Sequence, residues 1–254
     1  MNITEIRHVV EGIPYMKFSQ AQVMTDIILK NRTRNILELG FAHGVSTCYL
    51  AGAVDELGGG SVTTIDLLNA KNREPNIEML LSRVGLQQYV TIFFEPTSYL
   101  WRLMKMLDAV NPPQFDLCYF DGGHDWYNTG YAFFLVDKLL APGGWIIFDD
   151  LDWTYAASPA LKNEENVQKM PHDERVTPQV RKLYELLVKQ HNSYGHFSEK
   201  DGWGIAQKNI LDPSCSKPPT TTKCYTPAAK AVNAIQKRGM DFFSDLRKDI
   251  PAFK

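Results

Sequence analysis

The segment Asn35-Ile-Leu-Glu-Leu-Gly-Phe-Ala-His-Gly-Val-Ser46 decides the fold. An apolar run leads into a turn with two glycines, and a helix is predicted to follow over residues 46–57. Glycine lets the backbone turn tightly and approach a ligand, while the free N–H groups of the next helix can face an anion. Ala42 and Val45 interrupt the Gly-x-Gly-x-x-Gly spacing of dinucleotide-binding turns. The segment predicts a strand–turn–helix unit that holds a ligand, with a purely structural turn as the alternative.

Strand and helix patterns alternate from this segment onward. Apolar runs predict strands at residues 35–39, 61–65, 89–94, 115–120 and 145–148. The intervening segments predict helices at residues 46–57, 76–84, 101–110 and 127–140. Such alternation is typical of βαβ units, and we expect a mostly parallel sheet with helices on both faces.

The pattern changes after Asp150. Residues 151–176 are polar and irregular, which predicts a lid or insertion. Thr177-Pro178 predicts a helix that begins with Thr177 as its N-cap and runs to about residue 191. Two short strands, at 194–198 and 203–207, are expected to form a hairpin.

The two ends of the chain are predicted to lie outside the main domain, which should span residues 31–210. Residues 1–30 have apolar side chains at helical spacing and are expected to form an N-terminal helical cap. Residues 211–254 combine a Pro-rich linker with a last amphipathic helix over 228–247. The terminal helices could also join subunits into a homo-oligomer.

Composition excludes several classes of protein. The chain has 254 residues, of which 44% are hydrophobic and 22% charged, as in a soluble globular protein. A net charge of −2 and the lack of a basic, aromatic-interleaved stripe argue against nucleic acid as a partner. No apolar run reaches the roughly 18 residues of a membrane span, and no signal-peptide layout is present, so a cytoplasmic location is expected. Free thiols are therefore the expectation, although the spacing of Cys215 and Cys224 would permit a disulfide.

Acidic residues follow three of the predicted strands. Asp66 follows the second strand, where an acidic side chain can accept hydrogen bonds from ribose hydroxyls. Asp121-Gly-Gly-His124 follows the fourth strand and Asp149-Asp150 the fifth. Carboxylates at the ends of adjacent parallel strands meet at one sheet edge and repel one another unless a cation neutralises them. Oxygen ligands suit Mg²⁺, Mn²⁺ or Ca²⁺.

These motifs, with Leu140-Ala-Pro-Gly-Gly144, resemble a class I S-adenosylmethionine-dependent methyltransferase over about residues 30–210. The resemblance implies a Rossmann-like α/β fold with seven strands, the last antiparallel, and S-adenosylmethionine as cofactor. The residues it assigns to cofactor binding are Glu38, Gly40, Gly44, Ser46, Asp66, Ser98 and Asp121.

The acidic cluster is similar to that of metal-dependent sugar O-methyltransferases from macrolide and related antibiotic tailoring. That resemblance implies that Asp121, Asp149 and Asp150 bind a divalent cation, for which Mg²⁺ is the first candidate. It also implies that His124 is the general base. The expected acceptor is a hydroxyl of a glycoside or polyketide-like metabolite. A metal-independent N- or O-methyltransferase and a non-catalytic binding module are the alternatives.

Aromatic residues near the two acidic clusters could form the walls of an acceptor pocket: Trp126, Tyr127, Trp153 and Tyr155. Core packing is the alternative for Trp126, and His124 could instead be a hydrogen-bonded loop residue or a contact to the cofactor. Trp203 is expected to pack in the sheet, and His43 to be a solvated loop residue.

Overall fold

A seven-stranded sheet organises the computed structural model, which describes residues 1–210. Its strands are β1 (Asn35–Leu39), β2 (Ser61–Leu67), β3 (Val90–Glu95), β4 (Phe115–Phe120), β5 (Leu140–Phe148), β6 (Tyr194–Lys200) and β7 (Trp203–Lys208). They lie in the order β3-β2-β1-β4-β5-β7-β6. The first five strands are parallel, and β7 is antiparallel to both of its neighbours. The predicted Rossmann-like fold class is confirmed.

The helices before β5 are α1 (Ile3–Val10), α2 (Phe18–Asn31), α3 (Val45–Glu56), α4 (Ile77–Val84), α5 (Tyr99–Leu107) and α6 (Trp126–Leu139). After β5 come α7 (Glu165–Gln168), α8 (His172–Val176) and α9 (Gln179–Leu183). Each of the strands β1 to β4 leads, through a connecting segment, to one of the helices α3 to α6. This is the order that the alternating sequence pattern predicts.

The core lies in two layers, one on each face of the sheet. In β1, Ile36 packs in the layer that contains α1, α2, α3 and α4, whereas Leu37 packs with α5, α6 and α9. Successive side chains of a strand point to opposite faces, so a strand covered on both sides needs apolar residues at consecutive positions. Full burial of each such side chain contributes about 1.5–3 kcal/mol.

The helix predicted over residues 177–191 is present, but it spans residues 179–188, its N-cap is Pro178 rather than Thr177, and its second half is π-helical. α8 ends before Thr177, whose N–H donates to the carbonyl oxygen of Asp173, and α9 begins only at Gln179. α9 continues as a single π-helical segment, Tyr184–Val188. The buried Tyr184 hydroxyl donates to the carbonyl oxygen of Ile205 at 2.6 Å, so a contact with the hairpin holds this irregular turn.

Other elements also differ from prediction. α5 begins at Tyr99 rather than Trp101, because the Ser98 hydroxyl caps it by accepting from the N–H of Leu100. β5 begins at Leu140, so the Pro-Gly-Gly segment lies within the strand, beside an irregularity in its pairing with β4. The segment 151–176, expected to be irregular, contains α7 and α8.

Residues Met1–Ile210 form one compact unit. α1 and α2 bury Ile6, Val10 and Met24 in the core of this unit. The predicted C-terminal linker, the helix at 228–247, Cys215 and Cys224 lie outside the described residues. The domain boundaries and the homo-oligomer therefore remain predictions. Within residues 1–210, no helix combines the length and apolar character needed to cross a bilayer.

Candidate active site

The glycine turn after β1 is closely packed against the segment that follows β4. Gly40 has φ of +86°, and a Cβ atom there would overlap the carbonyl oxygen of Asp121. The Asp121 N–H donates to the carbonyl oxygen of Leu39 at 2.8 Å, which ties the two strand ends together. β1 and β4 are adjacent strands from which the chain proceeds in opposite directions, and such a switch point is where open α/β sheets bind ligands.

Asp66 fixes the shape of this turn. One of its carboxylate oxygens accepts from the N–H groups of Phe41 at 2.9 Å and Ala42 at 2.8 Å. The other oxygen accepts from the N–H of Leu67 at 2.6 Å. Each oxygen has more than one lone pair, so these bonds leave Asp66 able to accept from a ligand as well.

A cavity of about 290 Å³ opens beside the turn. Its lining residues come from the ends of β1, β2 and β4, from the loop after β3 and from the helices α5 and α6: Gly40, Asp66, Leu67, Thr97, Ser98, Tyr99, Asp121, Gly122, Gly123 and Asn128. Four of the residues predicted to bind a cofactor, Gly40, Asp66, Ser98 and Asp121, are thus brought together. We refer to this space as the turn cavity.

The other three predicted cofactor residues do not line the turn cavity. Glu38 is fully buried, and one of its oxygens accepts from the hydroxyls of Thr47 and Thr64, at 2.6 Å each. Its other oxygen has no partner among the described residues, and burial raises the pKa of Glu38 to about 7. Gly44 and Ser46 lie at the start of α3, where Gly44 has φ of +94° and Ser46 is buried.

A second cavity of about 550 Å³ adjoins the first and shares Asp121 and Gly122 with it. Its other walls come from the N-terminal segment, the glycine turn, the end of β5 and the segment before α7: Tyr15, Met16, Lys17, Gln20, Ala42, Arg73, His124, Asp149, Asp150, Trp153, Ser158, Ala160 and Leu161. We call it the acidic cavity. A cavity of this size accommodates a small metabolite.

Asp121 and Asp149 form a tightly interacting pair on the floor of the acidic cavity. The Tyr119 hydroxyl lies 2.8 Å from Asp149 Oδ2 and 3.2 Å from Asp121 Oδ2. The buried Trp203 indole donates to Asp149 Oδ1 at 2.6 Å. Burial, followed by repulsion from Asp149, raises the pKa of Asp121 well above its usual value. The pair therefore favours a proton or a cation between its members.

His124 faces Asp150 across the same cavity. His124 Nε2 lies 3.6 Å from Asp150 Oδ2, and its ring centroid lies 5.1 Å from that of Trp153. Burial and the neighbouring Asp149 raise the pKa of Asp150, whereas His124 and Lys17 lower it. A histidine beside a carboxylate at a cavity wall can accept a proton and hold the resulting positive charge.

The donor set suits a hard divalent cation in its chemistry, because all the predicted ligands are carboxylates. Asp121 and Asp150 line the acidic cavity, and the repulsion within the cluster is of the kind that a cation relieves. Both oxygens of Asp149 already accept hydrogen bonds. Among residues 1–210, no three acidic, histidine or cysteine side chains are arranged around one point that could hold an ion.

Sequence reasoning placed the aromatic walls only in part. Trp153 lines the acidic cavity, and Tyr155 packs on it at 4.8 Å between ring centroids. Trp126 and Tyr127 line a separate groove with α8 and α9, and the 39% exposure of Trp126 excludes it from the core. His43 is not a solvated loop residue, because its Nδ1 lies 2.7 Å from the carbonyl oxygen of Pro75 and its side chain is partly buried.

Several residues that shape the site carry no recognisable signal in the sequence. Tyr119 and Trp203 hold Asp149 in place, and Trp203 was expected only to pack in the sheet. Tyr15, Lys17 and Arg73 form a wall of the acidic cavity, although they lie far along the chain from the acidic motifs. Only the long-range pairing of elements brings these residues to the site, so no local pattern could have identified them.

The sheet order and the glycine turn define a class I methyltransferase fold. Residues 37–151 match the family model described as a methyltransferase domain. This match assigns residues 37–151 to a methyltransferase domain. No curated protein matches the sequence significantly.

Solved structures of O-methyltransferases share the fold at low sequence identity. The chain is similar to an O-methyltransferase from Bacillus cereus in complex with S-adenosylhomocysteine, at 22% identity and a TM-score of 0.58, over 82% of this chain and 90% of that one. It is also similar to TomG from Streptomyces achromogenes, an O-methyltransferase involved in tomaymycin synthesis, solved with S-adenosylmethionine, at 17% identity and a TM-score of 0.59, covering 82% and 89%. A putative caffeoyl-CoA O-methyltransferase from Staphylococcus aureus has 21% identity and a TM-score of 0.60, covering 82% and 93%.

Proposed function

We propose that this protein transfers a methyl group from S-adenosylmethionine to a hydroxyl of a small metabolite, with His124 as the general base. The observation that carries the proposal is the junction of the two cavities at Asp121 and Gly122. A cofactor in one cavity and an acceptor in the other would meet there. That structural relatives are O-methyltransferases supports transfer to oxygen.

The turn cavity supplies the contacts that the cofactor requires. Gly40 and Asp66 line this cavity, and Asp66 can accept from ribose hydroxyls. Ser98 lies at the far side, in the loop after β3, where the adenine is expected. When bound, S-adenosylmethionine supplies an electrophilic methyl group attached to a positively charged sulfur.

The acidic cavity supplies proton transfer and alignment. His124 Nε2 would take the proton of the acceptor hydroxyl, and Asp150 at 3.6 Å would stabilise the imidazolium that forms. Trp153 packs beside His124 and restricts the movement of its ring. Alignment of the hydroxyl oxygen with the methyl group then provides much of the remaining rate enhancement.

We also propose that a divalent cation, with Mg²⁺ as the first candidate, assists this reaction. Asp121 and Asp150 would hold it, and Asp149 would support them from below through its bonds to Tyr119 and Trp203. When bound, such a cation lowers the pKa of a coordinated hydroxyl. The acceptor expected from the resemblance is a glycoside or polyketide-like metabolite.

The proposal is tested by calorimetric titration of S-adenosylhomocysteine, followed by an assay of S-adenosylhomocysteine release with a panel of hydroxylated acceptors. We expect binding by the wild type and by His124→Ala, with turnover of the variant reduced by about 10²- to 10⁴-fold. His172→Ala is the control, because His172 lies in α8, away from both cavities. Absence of cofactor binding, or full activity of His124→Ala, would contradict the proposal.

The cation is tested separately, by repeating the binding and turnover measurements in EDTA and after adding back Mg²⁺. We expect cofactor binding to survive EDTA and turnover to fall and then recover with Mg²⁺. Asp150→Asn should weaken the response to Mg²⁺, whereas Asp152→Asn, an exposed neighbour paired with Arg181, should leave it unchanged. Full turnover in EDTA would exclude a role for the cation in the reaction and would favour a metal-independent O-methyltransferase.

A further inference from the structure

The acidic cavity also has basic residues in its lining. Asp121, Asp149, Asp150 and His124 reach it from the ends of β4 and β5. Lys17, at the N-terminus of α2, and Arg73, after the short helical turn Leu68–Asn72, line the same cavity from other elements. The methyl-transfer chemistry proposed above uses neither of these basic residues.

Arg73 is positioned by a stack of rings. Its guanidinium carbon lies 5.5 Å from the ring centroid of Tyr15, and Tyr15 stacks on His43 at 6.0 Å with an interplanar angle of 22°. His43 is itself held by its contact with the carbonyl oxygen of Pro75 at 2.7 Å. The stack therefore keeps the guanidinium at the cavity wall.

Within residues 1–210, neither Arg73 nor Lys17 forms an ion pair at 4.0 Å or less. The charge of Lys17 acts on Asp150, whose pKa it lowers, so part of its charge is already balanced. Arg73 is partly buried. A planar, pre-positioned guanidinium is well suited to bind a carboxylate through two hydrogen bonds.

Tyr15 adds an exposed ring to this wall. Its side chain is 63% exposed, and its φ of +85° is an outlier for a bulky residue. Such a conformation persists only where its surroundings hold it, and outliers of this kind cluster at binding sites. Tyr15 on one wall and Trp153 on another give the cavity flat surfaces on which a ring can pack.

We propose that the acceptor is a hydroxylated ring that carries a carboxylate, with its hydroxyl at His124 and its carboxylate at Arg73 and Lys17. This inference rests on the proposed function and narrows its acceptor class. The opposite orientation would place the carboxylate against three aspartates. A singly charged carboxylate fits better than a phosphate, because Asp150 lies in the same cavity and repels a second negative charge.

The ring could be an aromatic acid or a sugar acid, so the test uses a matched pair of probes for each. The first pair is 3,4-dihydroxybenzoate and 3,4-dihydroxybenzamide, and the second is 4-nitrophenyl glucuronide and 4-nitrophenyl glucoside. Affinities are measured by calorimetry with and without saturating S-adenosylhomocysteine. We expect the acid of at least one pair to bind tenfold or more tightly than its neutral partner, and the pair that shows this identifies the ring.

The variants assign the preference to the basic wall. Arg73→Gln should abolish the preference for the acid probe over its neutral partner. Arg73→Lys should retain part of this preference, and Lys17→Gln should reduce it. Arg83→Gln is the matched control, because it removes the same charge from an exposed position on α4. An equal affinity for acid and neutral probe in both pairs, or no binding of any probe, would overturn the inference.

Two other results separate this inference from the proposed function. If the wild type fails to bind S-adenosylhomocysteine, the proposed function fails, whereas the probe preference is still measured without the cofactor. If Arg73→Gln loses affinity for S-adenosylhomocysteine and keeps the preference for acid probes, Arg73 binds the amino-acid carboxylate of the cofactor. That outcome overturns the inference and leaves the proposed function standing.

Discussion

Substitution of Gly40 by alanine tests the packing that creates the turn cavity. The new Cβ atom would meet two separate penalties. The φ of +86° costs an alanine about 1–2 kcal/mol because the left-handed region is disfavoured for L-residues. The overlap with the Asp121 carbonyl oxygen adds about 1–3 kcal/mol, the range for overpacking in a tightly packed region. We therefore expect a total destabilisation of about 2–5 kcal/mol.

Gly85→Ala provides the matched control for this experiment. Gly85 has φ of +66° at the C-terminal end of α4, and a Cβ atom there would have no heavy atom within 4 Å. The Gly85→Ala variant should therefore be destabilised only by the conformational penalty, about 1–2 kcal/mol. The difference between the two variants isolates the contact between the turn and the segment after β4.

Urea unfolding measures the loss of stability, and calorimetric titration of S-adenosylhomocysteine measures the loss of cofactor binding. Relief of the overlap requires the turn to move away from Asp121, which both cavities share. We expect Gly40→Ala to bind S-adenosylhomocysteine at least 100-fold more weakly and Gly85→Ala to bind it as the wild type does. Equal stability of the two variants, with unchanged binding, would refute the packing argument.

Two further substitutions test buried groups near the site. Burial raises the pKa of Glu38 to about 7, so this group stabilises the fold fully below about pH 4.5 and loses that contribution, about 3 kcal/mol, as the pH rises through 7. Glu38→Gln should therefore show a smaller loss of stability between pH 5 and pH 8 than the wild type in parallel urea titrations, and identical slopes would contradict this. Trp203→Phe removes the donor to Asp149 and should cost about 1.5–3 kcal/mol more than Trp145→Phe, whose indole nitrogen is buried without a partner among the described residues. Equal losses of stability would mean that the indole–carboxylate bond contributes nothing.

Local sequence patterns were sufficient for most of the fold. Consecutive apolar residues such as Ile36 and Leu37 identify a strand covered on both faces, and the following glycines identify its turn. The alternation of strands and helices then predicts a parallel sheet whose strand ends carry Asp66, Asp121 and Asp149. These features depend on residues close together in the chain, and a short stretch of sequence contains the information that specifies them.

Local patterns failed where a distant contact competes with a local preference. Thr177-Pro178 correctly indicates a helix start, but the pattern does not predict that the helix becomes π-helical where Tyr184 bonds to the hairpin. Trp126 follows an acidic motif as closely as Trp153 follows another, but only Trp153 reaches the acidic cavity. The direction in which a side chain points after a strand end depends on how the next element packs, and a motif does not specify that.

The sequence by itself determined the sheet, the glycine turn and the set of acidic residues at the strand ends. The tertiary structure alone decided which atoms those acids face. It brought Tyr119 and Trp203 to Asp149, and it placed Arg73 and Tyr15 in the same cavity as His124. The physical reason is that backbone conformation follows from neighbours within a few residues, whereas a cavity forms where several elements meet and pack.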